Sequence, residues 1–432
     1  MFIDKVSLTN IRGFKKLEFN FDRGNGQYAG WTVFTGDNGS GKSTLLKAIA
    51  IALVGTDSAR TLQPSFRRWI HNGEHIGKFG ITVAIDISID AAKIKQKKPN
   101  QVISIELLLG SQTKETEPIF GIHVPDDQVG TFNLEPKFWK PTTKNYFSCG
   151  YGPFRRVFGS SPEVAQRMTT PTVERFITLF QESASLAEVD QWLRNLNYKS
   201  LEGKPEAKAQ LALVLEILRD ELLPNQLTIE RVDSDGLWLK DRNGIQLAWS
   251  DMSDGYRAAL ALLADILRHL INTYGTEGLT ARDADGKLYI QRSGVVLIDE
   301  IDAHLHPEWQ REIGFWLKRH FPNIQFLVTS HSPLICQAAD PNGLFVLPEP
   351  GSDLPARALT QEEYQEVISS RPDTILRSPA FGLQNTRSQP AVDARASYAR
   401  LKTKQRAGAQ LSAQEKSQLE DASRLINPDE EP

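Results

Sequence analysis

A glycine-rich stretch near the amino terminus constrains the fold of this chain more than any other feature. Residues 34–44 read Phe-Thr-Gly-Asp-Asn-Gly-Ser-Gly-Lys-Ser-Thr. They fit the pattern G-x-x-x-x-G-K-S, in which the backbone N–H groups of a loop surround phosphate oxygens. Apolar residues lie on both sides of the stretch, and they predict a buried strand before it and a helix after it. The sequence therefore predicts a strand, a phosphate-binding loop and a helix in direct succession.

Residues within this loop have separate expected roles. Gly36, Gly39 and Gly41 lack a Cβ, so the backbone can adopt positive φ angles and direct its N–H groups toward a polyphosphate. Lys42 supplies a positive charge to the β- and γ-phosphate oxygens, and the hydroxyl of Ser43 supplies a ligand for Mg²⁺. The residues predicted to contact the nucleotide are Asn38, Gly39, Ser40, Gly41, Lys42, Ser43 and Thr44.

Length and composition exclude several classes of protein. The 432 residues, 40% of them hydrophobic, are enough for two or three folded lobes. A net charge of −3 gives no overall attraction for nucleic acid, so such contact would need a local patch. The two cysteines, Cys149 and Cys336, are far apart in the sequence, and this pattern indicates free thiols in a reducing compartment. The sequence shows neither a secretion leader nor a long apolar span, so we expect a cytoplasmic protein with no membrane contact.

The hydrophobic pattern divides the chain into segments with different periodicities. Alternation of apolar residues over 2–21 and 81–109 predicts antiparallel strands, whereas the spacing over 162–223 predicts an inserted helical lobe. From residue 294 onward strands alternate with helices, so the sheet that carries the glycine-rich loop is expected to be mostly parallel. We predict an α/β fold of four segments, with the borders 1–153, 154–226, 227–350 and 351–432.

Two adjacent acids follow a predicted buried strand at residues 294–298. Asp299 stands at the carboxyl end of that strand, where a Mg²⁺ ligand is expected, and Glu300 can polarise the attacking water. Unpaired buried carboxylates are costly, so the alternative is an ion-paired strand end without catalytic function. His331 follows the next strand and can hydrogen-bond a γ-phosphate. These positions predict Glu300 and His331 as catalytic residues and Asp299 as a metal ligand.

Four stretches resemble the motifs of RecF-, SMC- and OLD-type ATPases. Residues 252–257 (Met-Ser-Asp-Gly-Tyr-Arg) resemble the ABC signature, and residues 299–307 (Asp-Glu-Ile-Asp-Ala-His-Leu-His-Pro) resemble the Walker B motif and D-loop. Residues 329–332 (Thr-Ser-His-Ser) resemble the H-loop. Residues 10–14 (Asn-Ile-Arg-Gly-Phe) are similar to the Asn-Phe-Arg-Ser-Phe entry of this group, with two replacements. The resemblance implies an ABC-ATPase head that binds ATP and Mg²⁺, with Arg12 among its nucleotide contacts.

The same resemblance implies a head-to-tail dimer. In that arrangement Ser253, Asp254 and Gly255 of one subunit close over the ATP that is bound to the glycine-rich loop of the other. A physical argument agrees with this, because the helix after the signature directs its positive amino terminus at the γ-phosphate. A higher oligomer remains open.

The carboxyl-terminal part carries a second resemblance. Residues 378–388 (Ser-Pro-Ala-Phe-Gly-Leu-Gln-Asn-Thr-Arg-Ser) are similar to short bacterial ATPases encoded beside HNH nucleases in Septu and retron defence systems. This similarity implies an ATPase that regulates a separately encoded HNH-type nuclease in anti-phage defence. It leaves open whether the chain contacts DNA or RNA itself. The basic residues over 371–406 fit a docking segment and a self-paired helical hairpin equally well.

The sequence also leaves room for other functions and departs from the ATPase motifs in places. A RecF-like repair factor would bind duplex DNA directly, whereas a transporter subunit is disfavoured by the entry at residues 10–14. The sequence contains no evident Q-loop glutamine. Gln63 is a candidate, and the turn over 149–156 is an alternative segment for the coupling that the Q-loop performs in this family. His304 and His306 invite a metal site, but they lack further ligands nearby.

Overall fold

The computed structural model describes residues 1–85, 101–111, 113, 116–123, 139, 146–157, 168, 170–220, 223, 227–352 and 354–425. Parts of the predicted segments 81–109 and 162–223 lie outside the described residues. Contacts between residues divide the chain into two units, Met1–Pro372 and Asp373–Pro432. The division into four segments stays a prediction.

The described strands and helices are numbered in chain order. The first strands are β1 (Phe2–Ile11), β2 (Phe14–Asn20), β3 (Gly30–Thr35), β4 (Ile76–Ile85), β5 (Gln101–Gly110), β6 (Ile119–His123), β7 (Ser148–Tyr151) and β8 (Thr228–Asp233). The others are β9 (Gly236–Lys240), β10 (Gln246–Ala248), β11 (Thr280–Arg282), β12 (Leu288–Ile290), β13 (Gly294–Ile298), β14 (Ile324–Thr329), β15 (Leu344–Val346) and β16 (Arg357–Ala358).

Helices follow the same numbering. The first six are α1 (Lys42–Leu62), α2 (Pro171–Glu174), α3 (Ile177–Phe180), α4 (Glu188–Leu201), α5 (Pro205–Arg219) and α6 (Asp254–Tyr274). The next six are α7 (Pro307–His320), α8 (Pro333–Cys336), α9 (Gln361–Ser369), α10 (Pro372–Arg377), α11 (Gln389–Arg406) and α12 (Ala413–Arg424). None of these helices is both long and apolar enough to cross a membrane.

A mostly parallel sheet carries the glycine-rich loop, as the sequence predicted. Its spatial order is β16-β15-β3-β14-β13-β7, and only β16 pairs in the antiparallel direction. Phe34 in β3 pairs with Thr329 in β14. Ile298 in β13 pairs with Val328 on one side and with Tyr151 in β7 on the other. Parallel strands end at the same edge of a sheet, so the residues that follow these four strands meet there.

The predicted antiparallel subdomain is a second sheet, with the order β2-β1-β4-β5-β6. Helix α1 packs against β4 of this sheet and against β13 and β14 of the parallel sheet, so its apolar side chains join both layers. Phe19 in β2 packs on Phe345 in β15, with ring centroids 4.6 Å apart. One continuous core therefore fixes the glycine-rich loop between the two sheets.

The predicted helical lobe and signature helix are also present. Helices α4 and α5 pack on each other and on β8, and α4 also contacts β9. Helix α6 contacts both α4 and α5. The apolar pattern over residues 258–274 predicts this helix, but the helix begins four residues earlier, at Asp254. This start brings the signature motif into its first turn.

The unit Asp373–Pro432 contains α11 and α12, which pack as a hairpin around Gly408. Gly408 has a φ of 82°, a left-handed conformation that glycine adopts without strain. Ser412 and Glu415 form the predicted capping box of α12. Lys404 donates to Glu415 at 2.6 Å, so charges of the two helices are partly paired within the hairpin.

Candidate active site

The glycine-rich loop adopts the backbone conformation that the sequence predicted. Gly36, Gly39 and Gly41 have φ angles of 139°, 84° and 97°. A Cβ on Gly41 would lie 2.5 Å from the Phe14 ring, and one on Gly36 would lie 2.7 Å from the carbonyl oxygen of Leu347. Both distances are below van der Waals contact, so these two positions require glycine for space as well as for conformation.

Lys42 lies beside the two acids at the edge of the parallel sheet. Its side chain is buried, and Nζ donates to the carbonyl oxygens of Gly36 and Asp37 at 2.8 and 2.9 Å. Burial lowers the pKa of the Lys42 ammonium, while the carboxylates of Asp299 and Glu300 act in the opposite direction. The loop lysine and the acidic pair therefore share one electrostatic site.

A threonine connects the two acids. The Thr329 hydroxyl donates to Oδ1 of Asp299 at 2.6 Å and accepts from the backbone N–H of Glu300 at 2.7 Å. Asp299 is 1% exposed, and Glu300 has a left-handed φ of 46°. Sequence reasoning missed this role of Thr329; its only signal was a hydroxyl residue at the end of the strand before Ser330 and His331. His331 is exposed at the same edge.

Arg12 lies next to the first turn of α1. Its guanidinium packs 4.3 Å from the centroid of the Trp69 ring, and Nη1 donates to the Thr44 hydroxyl at 3.3 Å. The Arg12 backbone has a φ of 47°, and its N–H donates to the Trp69 carbonyl at 2.8 Å. Burial lowers the pKa of this guanidinium. The structure thus brings two of the predicted nucleotide contacts, Arg12 and Thr44, together.

The residues that resemble the signature pack against the segment that resembles the D-loop in the same chain. Ser253 is at the N-cap position of α6, as predicted, but its side chain makes no capping hydrogen bond. Asp254 pairs with Arg257 one turn later. A Cβ on Gly255 would lie 2.1 Å from the carbonyl oxygen of His304, so only glycine fits there. Packing within one chain is therefore enough to explain why position 255 is a glycine.

The residues of the site fit a nucleotide phosphate and Mg²⁺. The buried Ser40 hydroxyl has no hydrogen-bond partner among the described residues, although buried polar groups normally have one. Ser43 and Asp299 offer hydroxyl and carboxylate oxygens, which Mg²⁺ prefers. No group of three or more His, Cys, Asp or Glu suited to a metal occurs in the described part of the chain. His306 instead caps α7, accepting from the N–H of Glu308 at 3.3 Å.

The turn after β7 contains a residue whose role sequence reasoning did not identify. Arg155 is 4% exposed and donates to backbone carbonyls of the Walker B and D-loop segment, including those of Asp299 and Glu300. Arg155 and Arg156 are adjacent in the sequence, which did not indicate which of them turns inward. Gln63, the candidate Q-loop residue, ends α1 and donates to the carbonyl of Ser65 at 2.8 Å.

Comparisons with known proteins give related matches over most of the chain. A family model described as "AAA domain" matches residues 5–205, and one described as "AAA domain, putative AbiEii toxin, Type IV TA system" matches residues 135–337. The chain is 26% identical to the Septu protein PtuA of Bacillus mycoides (strain KBAB4) over 396 residues, which cover 89% of this chain and 45% of that protein. The chain thus spans less than half the length of that relative.

Two further matches extend the comparison. The retron Ec83 probable ATPase of Escherichia coli is 26% identical over 407 residues, which cover 79% of this chain and 70% of that protein. Among solved structures, the SmcHead bound to the C-winged helix domain of ScpA aligns with a TM-score of 0.46 and 13% identity, over 85% of this chain and all of that one.

The parallel sheet, the glycine-rich loop and the acidic pair at one edge define the class of site, which is that of a nucleotide-binding protein with a phosphate-binding loop. The chain is similar to the Septu protein PtuA and to the retron probable ATPases.

Proposed function

We propose that the chain binds ATP with Mg²⁺ at the glycine-rich loop and hydrolyses it with Glu300 as the group that polarises the attacking water. The observation that carries this proposal is that the glycine-rich loop after β3 and the acidic pair after β13 lie at the same edge of the parallel sheet, on either side of β14. Lys42 and the loop N–H groups bind the phosphates, and Ser43 and Asp299 hold the metal, which neutralises phosphate charge. His331, exposed at the same edge, hydrogen-bonds the γ-phosphate.

The proposed site is completed by a second copy of the chain. Ser253 makes no capping hydrogen bond, so its hydroxyl is available to a phosphate on the partner subunit. Asp254 and Gly255 belong to the first turn of α6, where backbone N–H groups lack helical acceptors and favour an anion. Two such chains, arranged head to tail, form two composite sites with ATP between them.

The output of the ATPase is proposed to be control of a separately encoded HNH-type nuclease in anti-phage defence. Support comes from the relatives, which are a Septu protein and a retron ATPase. The hairpin of basic helix α11 and acidic helix α12 is the proposed docking element, because the chemistry of the ATP site is complete by His331. If the purified chain instead binds duplex DNA with steep salt dependence and retains no protein partner, a RecF-like repair function replaces this one.

Hydrolysis by composite sites predicts a dependence on protein concentration. The rate per chain should fall when the protein is diluted ~100-fold through the dimer dissociation constant, because a lone chain has only half of each site. The measurement is steady-state phosphate release at saturating Mg²⁺-ATP, with light scattering to give the mass. A constant rate per chain, with a monomer mass throughout, would rule out the dimer but leave the ATPase intact.

Removal of the carboxyl-terminal unit should separate hydrolysis from output. A chain that ends after Pro372 is expected to keep kcat and KM within about 2-fold, because its ATP site lies in a unit with its own core. It should no longer co-purify with the nuclease encoded beside it. Cooperative melting is checked first, and the full chain serves as the control. Full retention of the partner and of phage protection would show that the hairpin is not the docking element.

A further inference from the structure

Arg155 holds the backbone of the segment that carries Glu300. Its Nη1 donates to the carbonyl of Asp299 at 3.2 Å, and its Nη2 lies 3.0 Å from the carbonyl oxygen of Glu300. The same Nη2 lies 3.3 Å from the carbonyl oxygen of Ile301 and 3.1 Å from that of Ala303. One buried guanidinium therefore lies within hydrogen-bond distance of four carbonyls between residues 299 and 303, and the two hydrogens of Nη2 are shared among three of them.

The backbone at these carbonyls is in an unusual conformation. Glu300 and His304 have φ angles of 46° and 68°, in the left-handed region. Such a conformation is unfavourable for a non-glycine residue and persists only where surrounding contacts determine it. For Glu300 the contacts are Thr329 on its N–H and Arg155 on its carbonyl. The direction of the Glu300 side chain thus depends on both.

Electrostatics also favour an arginine at this place. Burial lowers the pKa of Arg155 to about 10, and the carboxylates of Asp302, Asp299 and Glu300 oppose that change. The guanidinium is therefore charged at neutral pH. Oδ1 of Asp302 is buried without a hydrogen-bond partner among the described residues, so the positive charge nearby offsets part of its desolvation.

We propose that Arg155 is a positioning residue for hydrolysis: it fixes the backbone of residues 299–303 and thereby aims the Glu300 carboxylate, without contacting the nucleotide itself. This inference rests on the proposed function of Glu300. A lysine at the same position would keep the charge, but its compact ammonium cannot reproduce the contacts of the guanidinium fork. Arg155→Lys therefore changes the hydrogen-bonding geometry at this position while it keeps the positive charge.

The test compares Arg155→Lys with the matched control Arg156→Lys, whose side chain is exposed. Arg155→Lys should lower kcat at least ~10-fold, because a shift of about 1 Å in a catalytic group has effects of this size or larger. The dissociation constant for Mg²⁺-ATP should stay close to wild type, and melting should stay cooperative at a lower temperature, because the ammonium satisfies fewer of the buried carbonyls. Arg156→Lys should match wild type in all three. Wild-type kcat in Arg155→Lys, or an equal loss of ATP affinity, overturns the proposal.

A second comparison separates this proposal from the function on which it rests. In a Glu300→Gln background, Arg155→Lys should cause no further loss of kcat, because it acts through the group already removed. An additional loss as large as in the wild-type background means that Arg155 acts elsewhere. If Glu300→Gln itself hydrolyses ATP normally, the proposed role of Glu300 fails instead. If Arg155→Lys no longer melts cooperatively, Arg155 is a folding residue and the inference is wrong.

Discussion

Replacement of Glu300 by glutamine is expected to lower kcat for ATP at least ~10²-fold, the usual effect of losing a positioned general base. The amide has the shape of the carboxylate but cannot polarise water, so nucleotide binding should be preserved and the ATP-bound dimer should accumulate. Single-turnover hydrolysis and equilibrium binding of Mg²⁺-ATP measure the two effects separately.

The matched control is Glu312→Gln, an exposed glutamate on α7 that is paired with Arg311. It should leave kcat and ATP affinity unchanged. Near wild-type turnover in Glu300→Gln would remove Glu300 from the proposed role. A loss of ATP affinity as large as the loss of kcat would indicate that Glu300 binds the nucleotide rather than activating water.

The second large effect concerns Lys42 and Ser253 in combination. Lys42→Ala should weaken ATP binding at least ~10²-fold, because it removes a buried charged donor from the phosphates. Ser253→Arg should abolish turnover, because a long cationic side chain occupies the space of the partner's γ-phosphate. Neither variant should turn over ATP by itself.

Mixing the two inactive variants then tests whether the sites are composite. In a mixed dimer, the intact glycine-rich loop of the Ser253→Arg subunit faces the intact signature of the Lys42→Ala subunit. Random assortment should restore up to about a quarter of the wild-type rate, since half of the dimers carry one working site out of two. Ser250→Arg, at an exposed serine before α6, is the control and should be active alone. Wild-type turnover by Ser253→Arg alone would refute sites shared between subunits.

Those parts of the fold that depend on local pattern could be predicted from the sequence. The phosphate-binding loop is one example, because its glycines, its lysine and the flanking apolar runs are contiguous and each has a direct physical requirement. Parallel pairing of β3, β13 and β14 followed from the alternation of strands and helices. The antiparallel sheet likewise followed from the period of two in its strands.

Contacts between distant segments were less predictable. Arg155 and Glu300 are 145 positions apart, and nothing local distinguishes the buried Arg155 from its exposed neighbour Arg156. Thr329 links Asp299 to the backbone of Glu300 only because β14 lies beside β13 in the sheet. The sequence also indicated Gly255 as a nucleotide contact. Its close approach to His304 of the same chain depends on tertiary packing, which no local pattern encodes.

The two thiols have a practical consequence for measuring subunit motion. Cys149 and Cys336 are both buried, and burial raises the pKa of each thiol, so neither is available as a reactive thiolate. A maleimide dye would therefore react selectively with a cysteine introduced on the surface, for example at Ser250, without prior removal of the native pair. Donor and acceptor dyes on separate copies could then follow the approach of two chains after ATP is added, in an otherwise unaltered protein.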